Sequence, residues 1–222
     1  MPDIFFQILF LILAYLLGSI PWGFLIGKIK GVDIREQGSH NIGATNTGRV
    51  LWKKYFYIVT FLDLFKGFIF VFLFRYKILP FKWCLLSPML YGVVACLGHV
   101  FPIYLKFKGG KAVATGAGTV LGYAPIIFLI GAVVFFTTWA ISKYVSLGSL
   151  FAASVIFICS ITYSLISKEF KQNLFTIPEG KTWPLNIWFV VGVLLIVLLI
   201  FIKHRSNIKR LANNEENKFE LK

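Results

Sequence analysis

Three polar stretches interrupt an otherwise apolar chain, and each carries side chains suited to holding an anion. The first, GVDIREQGSHNIGATNTGR from Gly31 to Arg49, is dense in Gly, Ser, Thr and Asn. Such residues expose backbone N–H groups and set short hydroxyl and amide donors around a compact anion, while the same composition also makes an ordinary solvated turn. The second, KFKGGKAVATGAG, sets Lys106, Lys108 and Lys111 around Gly109-Gly110 at the start of a helix, where N–H groups and a lysine can cradle phosphate. It lacks the G-x-x-x-x-G-K-[ST] spacing of a Walker A loop. The third, KHRSNIKRLANNEENKF, puts His204, Asn207 and Leu211 on one helical face at i, i+3 and i+7. Its plainer reading is a basic helix lying against anionic headgroups.

The elements that must position these stretches are membrane helices. Of 222 residues, 58% are hydrophobic and 14% charged, against about 25% charged in a soluble domain. Disordered, collagen-like and disulfide-scaffold classes are excluded. The ten-residue alternating segments of an outer-membrane barrel are missing as well. Apolar blocks long enough for a hydrocarbon core of about 30 Å predict spans at Ile4–Ile26, Tyr55–Phe74, Cys84–Leu105, Val145–Ile166 and Ile187–Ile202. The first, without a basic n-region, is read as an uncleaved helix. One helix between Lys111 and Lys143 would be about 47 Å long, too much for a single crossing. Gly116, Gly118 and Gly122 followed by Pro125 offer a natural break into two.

Charge decides the parity. With seven spans and the N-terminus outside, sixteen Lys/Arg fall on the cytoplasmic side against six outside; six spans give twelve against ten. The expectation is an all-α integral membrane protein of seven helices, C-terminus cytoplasmic, forming a single domain over 1–222 with 203–222 as a tail. All three polar stretches then share the cytoplasmic face. The basic loop Arg75–Lys82 violates the rule. Asp63 and Lys66, i and i+3 within a span, read as a buried structural pair. Cys84, Cys96 and Cys159 read as small apolar side chains, with no disulfide or zinc spacing.

Taken together, the sequence closely resembles the acyl-phosphate:glycerol-3-phosphate acyltransferase family, PlsY, of bacteria. The resemblance runs from about residue 10 to 219. Its first motif is similar to Gly38-Ser39-x-Asn41-Ile42-Gly43-Ala44-Thr45-Asn46-x-x-Arg49. The second is similar to Lys106-Phe107-Lys108-Gly109-Gly110-Lys111 with Ala114-Thr115, and the third to His204-Arg205-x-Asn207-Ile208-x-Arg210-Leu211 with Glu216. Gly18-Ser19-Ile20-Pro21, Asp63-x-x-Lys66-Gly67 and Gly98-His99-x-Phe101-Pro102 match too. The family usually has glycine where this chain has His40 and Asn214, glutamate at Ser206, and often glycine at Ala112. His40 is the departure to watch, because a ring replaces a residue of permissive backbone angles.

The resemblance implies transfer of a fatty acyl group from acyl phosphate to the 1-hydroxyl of glycerol 3-phosphate, giving lysophosphatidic acid and phosphate, at the cytoplasmic side of the bacterial inner membrane. The donor is a mixed anhydride, so neither ATP, metal, cofactor nor a covalent acyl intermediate is expected. By motif position, Ser39, Arg49, Lys108 and Lys111 bind phosphate, Gly43, Thr45, Asn46, Gly109 and Gly110 shape the cradle, and His204 and Asn207 orient glycerol 3-phosphate. Ser39, His204 and Asn207 form the catalytic group, with either His204 or a donor phosphate oxygen taking the proton. His99 reads as structural. Partners are the two substrates and membrane lipid, not nucleic acid; docking of a soluble, PlsX-like acyl-phosphate synthase stays open. An H-x-x-x-x-D acyltransferase is excluded, since His40, His99 and His204 are followed five residues on by Thr45, Tyr104 and Lys209. A small-solute transporter would need polar residues at mid-depth, and here they gather on one face.

Overall fold

The computed structural model describes residues 4–80, 87–165 and 187–219, and these contain helices and loops without a strand. Cys84, Lys82 and the 168–181 loop lie outside the described residues. The elements are α1 (Ile4–Ser19), α2 (Trp22–Ile29), α3 (Ala44–Val50), α4 (Lys53–Arg75), α5 (Pro88–Val100), a 3-10 turn (Ile103–Leu105), α6 (Val113–Tyr123), α7 (Pro125–Ser142), α8 (Val145–Leu165), α9 (Ile187–Lys203) and α10 (Arg205–Ala212).

The first expected span is not one straight helix. Pro21 follows α1, and α2 continues at 44° to it, because proline removes an N–H donor and its ring clashes with the preceding turn. The Ile20 carbonyl left at this break accepts from Lys66 Nζ at 3.0 Å. The same ammonium lies 2.8 Å from Asp63 Oδ1, with Asp63 3% and Lys66 1% exposed. The intramembrane charges are therefore a paired brace between α4 and the end of α1, as the sequence led one to expect.

Between Lys111 and Lys143 the chain breaks at Ala124-Pro125, where the glycines and proline predicted a break. Helix lengths nevertheless differ from seven equal crossings. Among the described residues, four helices, Lys53–Arg75, Pro88–Leu105, Pro125–Ser142 and Val145–Leu165, are long and apolar enough to span, and up to six if each bent pair counts as one. Helix α6 has 11 residues, about 16 Å at 1.5 Å per residue, or half of the hydrocarbon core. It is wedged tightly against α4: a Cβ on Gly118 would collide with the Leu64 carbonyl, and one on Gly67 with the Thr115 carbonyl. Small residues let helix backbones approach where no water drives them together. The start of α6 and the end of α7 lie on the same face, since the C-terminal tail touches both: Asn207 meets Lys111, and the Phe219 amide donates to the Lys143 carbonyl at 2.9 Å.

Arg75, part of the basic loop that strained the charge count, is not a free surface charge. It is buried in the last turn of α4 with its guanidinium 5.0 Å over the Tyr123 ring, where both the ring and the helix C-terminus favour a cation.

His40, Ala112 and Asn214, three positions at which the resembled family favours glycine, have φ of 58°, 58° and 57°. Each is a left-handed residue. In this chain they are held by local contacts; His40 Nδ1, for example, lies 2.9 Å from the Arg35 carbonyl. Asparagine and histidine tolerate this region better than branched residues do. His40→Val is therefore expected to lower stability by about 2 kcal/mol, and His40→Gly to change it by less than about 0.5 kcal/mol, in detergent thermal melts.

Candidate active site

The first polar stretch folds around one amide. Asn46 is buried; its Oδ1 accepts from the Ser39 N–H at 2.7 Å, and its Nδ2 donates to the carbonyls of Ile34 at 2.8 Å and Gln37 at 3.1 Å. Both its amide hydrogens go into shaping the loop. Asn41 Oδ1 accepts from the Gly43 N–H at 2.9 Å, and Thr47 Oγ1 donates to the Gly43 carbonyl at 3.1 Å. These bonds start α3, whose last turn carries the half-buried Arg49. Burial pushes the Arg49 guanidinium below its usual value, opposed by Glu216 and reinforced by Arg210.

Two glycines seat the second stretch. The Gly110 N–H donates to the His99 carbonyl at 3.0 Å, and a Cβ on Gly110 would run into the His99 ring. His99 is thus the floor under the turn that delivers Lys111. The Lys111 ammonium donates to Asn207 Oδ1 at 2.6 Å. Burial pushes its pKa down to about 8; Glu216 pulls upward, while Arg210, Arg49 and Lys203 push further down.

The third stretch begins where α9 ends and α10 turns away by 57°, at His204. His204 is 2% exposed, and its Nδ1 lies 2.8 Å from the Ile200 carbonyl. A carbonyl only accepts, so Nδ1 carries the hydrogen and Nε2 keeps its lone pair. Burial pushes the ring pKa down to about 4, helped by Lys111 and opposed by the Ile200 carbonyl and Glu216; the imidazole is neutral at physiological pH. One turn on, Asn207 Nδ2 donates to Glu216 Oε1 at 2.6 Å. Glu216 also accepts from Ser146 Oγ at 2.8 Å and from Arg210 Nε at 2.7 Å. Burial alone would raise its pKa, but these donors together hold it below the usual carboxylate range.

The three stretches meet at the mouth of one cavity of about 320 Å³. Ser39, Gly43, Thr45, Asn46, Arg49, Lys111, His204 and Asn207 all line it. Lys108 is exposed and does not line it, and Gly109 and Gly110 pack behind the lysine rather than into the opening. Below the polar mouth the walls are apolar: Val120, Phe128, Gly131, Ala153, Ile156 and Val193. Sequence reasoning quoted Arg210 and Glu216 without giving them a role and missed Ser146, which sits in an apolar run with nothing nearby to mark it. Among the described residues, no group of three or more His, Cys, Asp or Glu could hold a metal.

The site is thus a cationic mouth over an apolar cavity, set among helices of membrane length. The glycerol-3-phosphate acyltransferase family model matches residues 8–214, and the chain belongs to that family. It is 47% identical over 221 residues to the glycerol-3-phosphate acyltransferase of Staphylococcus carnosus (strain TM300), covering 96% of this chain and 98% of that one. The Staphylococcus aureus (strain JH9) enzyme of the same name is 45% identical over 218 residues, with the same coverage. Among solved structures, PlsY (YgiH), an integral membrane glycerol 3-phosphate acyltransferase, in its glycerol 3-phosphate form superposes with TM-score 0.79 at 36% identity over 96% of both chains. Its lysophosphatidic acid form gives 0.77 at 35% identity, over 97% of this chain and 96% of that chain.

Proposed function

We propose that the chain transfers a fatty acyl group from acyl phosphate to the 1-hydroxyl of glycerol 3-phosphate, releasing lysophosphatidic acid and inorganic phosphate. The observation that carries this reading is the cavity itself: Arg49, Lys111, Asn207 and His204 ring an opening above an apolar chamber. Arg49 offers a planar fork and Lys111 a point charge to the phosphates. The Ser39 hydroxyl and the first-turn N–H groups of α3 complete the cradle, and the acyl chain lies among α6, α7, α8 and α9. Lys108, outside the opening, adds positive potential at its approach.

In the reaction the glycerol hydroxyl oxygen attacks the acyl carbonyl carbon, the carbon–oxygen bond to phosphate breaks, and phosphate leaves with the electron pair. His204 Nε2, held neutral by burial, accepts a hydrogen bond from the hydroxyl while Asn207 helps fix its direction. With a pKa near 4 the ring is a weak base. The proton therefore ends on the departing phosphate, either through Nε2 or directly. Positioning and charge neutralisation carry the rate, since the anhydride is already activated.

The reading has seven passes, N-terminus outside and site cytoplasmic in a bacterial inner membrane; the shared face of Lys111 and Lys143 supports the pass count, and the excess of Lys/Arg on one side supports the orientation. One crossing would separate the two lysines. The acyl phosphate itself is the product of some other enzyme, and a soluble PlsX-like synthase delivering it at this face fits the reading.

The test is purified protein in lipid, supplied with acyl phosphate and glycerol 3-phosphate. It should release phosphate and lysophosphatidic acid with a chelator present, while acyl-CoA should be inert; success with acyl-CoA alone would overturn the donor assignment. Arg49→Lys, which keeps the charge but loses the fork, is expected to raise the KM for glycerol 3-phosphate about tenfold.

A further inference from the structure

Beyond α10, the tail does not trail away. Glu216 and Asn217 line the cavity, and the segment 213–219 is fixed at two points. The first is Glu216, already described. The second is Phe219, which is 6% exposed. Its amide donates to the Lys143 carbonyl at 2.9 Å, and its carbonyl accepts from Trp139 Nε1 at 2.8 Å. Its ring stacks on Trp139 at 5.9 Å and 14° and meets Phe56 at 5.4 Å. The Arg49 guanidinium lies over the same ring, 5.6 Å from its centroid. Helix α3 is pressed against this same group, because Gly48 would place a Cβ 3.3 Å from Phe219 Cζ.

We propose that Phe219 is a positioning residue: its ring, clamped by Trp139 and Phe56, holds the Arg49 guanidinium by a cation–π contact in the place where it meets a substrate phosphate. This rests on the reading of Arg49 as a phosphate ligand. Phe219 lies past residues 8–214, the part matched by the family model. An unsupported arginine side chain would lose rotamer freedom on each binding event, whereas one already seated on an aromatic face is pre-ordered. The ring also excludes water from one side of the guanidinium, which strengthens its attraction for an anion.

The experiment uses the full-length protein and reads glycerol 3-phosphate binding by calorimetry, alongside kcat and KM. Phe219→Leu keeps an apolar group of similar reach but removes the ring quadrupole. It is expected to weaken glycerol 3-phosphate binding about fivefold and to raise KM equally with kcat held. In an Arg49→Ala background, Phe219→Leu should add nothing. Wild-type binding by the leucine variant, or additive losses with Arg49→Ala, would each overturn the proposal. Phe219→Met carries the leucine expectation should leucine fail to fold. Because binding is read without turnover, a wrong acyl donor would leave this result intact, and the two failures stay distinguishable.

Discussion

Lys111→Met is expected to lower kcat/KM by about a thousandfold while leaving the melting temperature unchanged or raised. Methionine keeps most of the side-chain length and all of the apolar stem, so the packing above Gly110 survives; only the ammonium goes. The sign of the stability effect follows from the depressed pKa. A lysine whose ordinary value of 10.5 falls to about 8 in the folded protein is more easily charged when unfolded, so its charge opposes folding. That opposition is full below about pH 8 and fades as pH rises toward the unfolded value. Deleting the charge removes it, against the loss of one hydrogen bond to Asn207. On the proposed reading, the charge kept here at a cost to stability is the one that meets a substrate phosphate.

The same pKa sets a pH profile. Above about pH 8 the free protein loses the Lys111 proton, and kcat/KM should fall toward tenfold per pH unit. In Lys111→Arg, which does not titrate in this range, that limb should vanish even if the overall rate is lower. His204, near 4, contributes no limb between pH 5 and 7, although the substrate phosphate itself titrates near 6. The comparison of variants separates protein from substrate. More than a tenth of wild-type activity in Lys111→Met would show that the phosphates are held elsewhere.

Much of this was legible in residue order. Apolar block length and charge asymmetry identify membrane helices because no soluble fold tolerates them, and Pro125 after three glycines marked the break in 111–143. The left-handed turns at His40, Ala112 and Asn214 were foreshadowed by the family's preference for glycine there. The bend at Pro21 was legible too but went unweighed, since a mean over 20 residues conceals one missing donor. The half-length of α6 was not, because its flanks are as apolar as its centre. Nor could spacing reveal that Lys108 faces away while Lys111 faces in: three residues on a turn of left-handed and irregular backbone, with φ of 50° and 63° at Lys106 and Phe107, carry no fixed period. Glu216 and Ser146 are seventy residues apart and meet only through the folding of the tail onto α8.

Glu216→Ala should be the most damaging change to the fold of the site, and its effect on chemistry should come through Lys111. The carboxylate side chain is 7% exposed and ties together Asn207, Ser146 and Arg210. Removing it leaves a buried amide, a hydroxyl and a partly buried guanidinium without their acceptor, a loss of about 3 kcal/mol in detergent melts. Glu216→Gln keeps an acceptor for Asn207 and Ser146 and should lose less. Because the native carboxyl has a lowered pKa, its contribution is present above about pH 4 and disappears as pH falls below that; the glutamine variant should show no such acid-side decline. On activity, Asn207 freed from Glu216 no longer aims its Oδ1 at Lys111, and a misplacement of this kind costs about a hundredfold. There is also a purely electrostatic part. Glu216 is the group that pulls the Lys111 pKa upward against burial and against Arg49 and Arg210, so without it the alkaline limb of kcat/KM should move to lower pH in both variants. A stability loss with an unmoved limb would reduce Glu216 to a brace. A moved limb in the glutamine variant, where the brace is mostly intact, would make it the counter-charge that keeps Lys111 ionised until a phosphate arrives to take over that role.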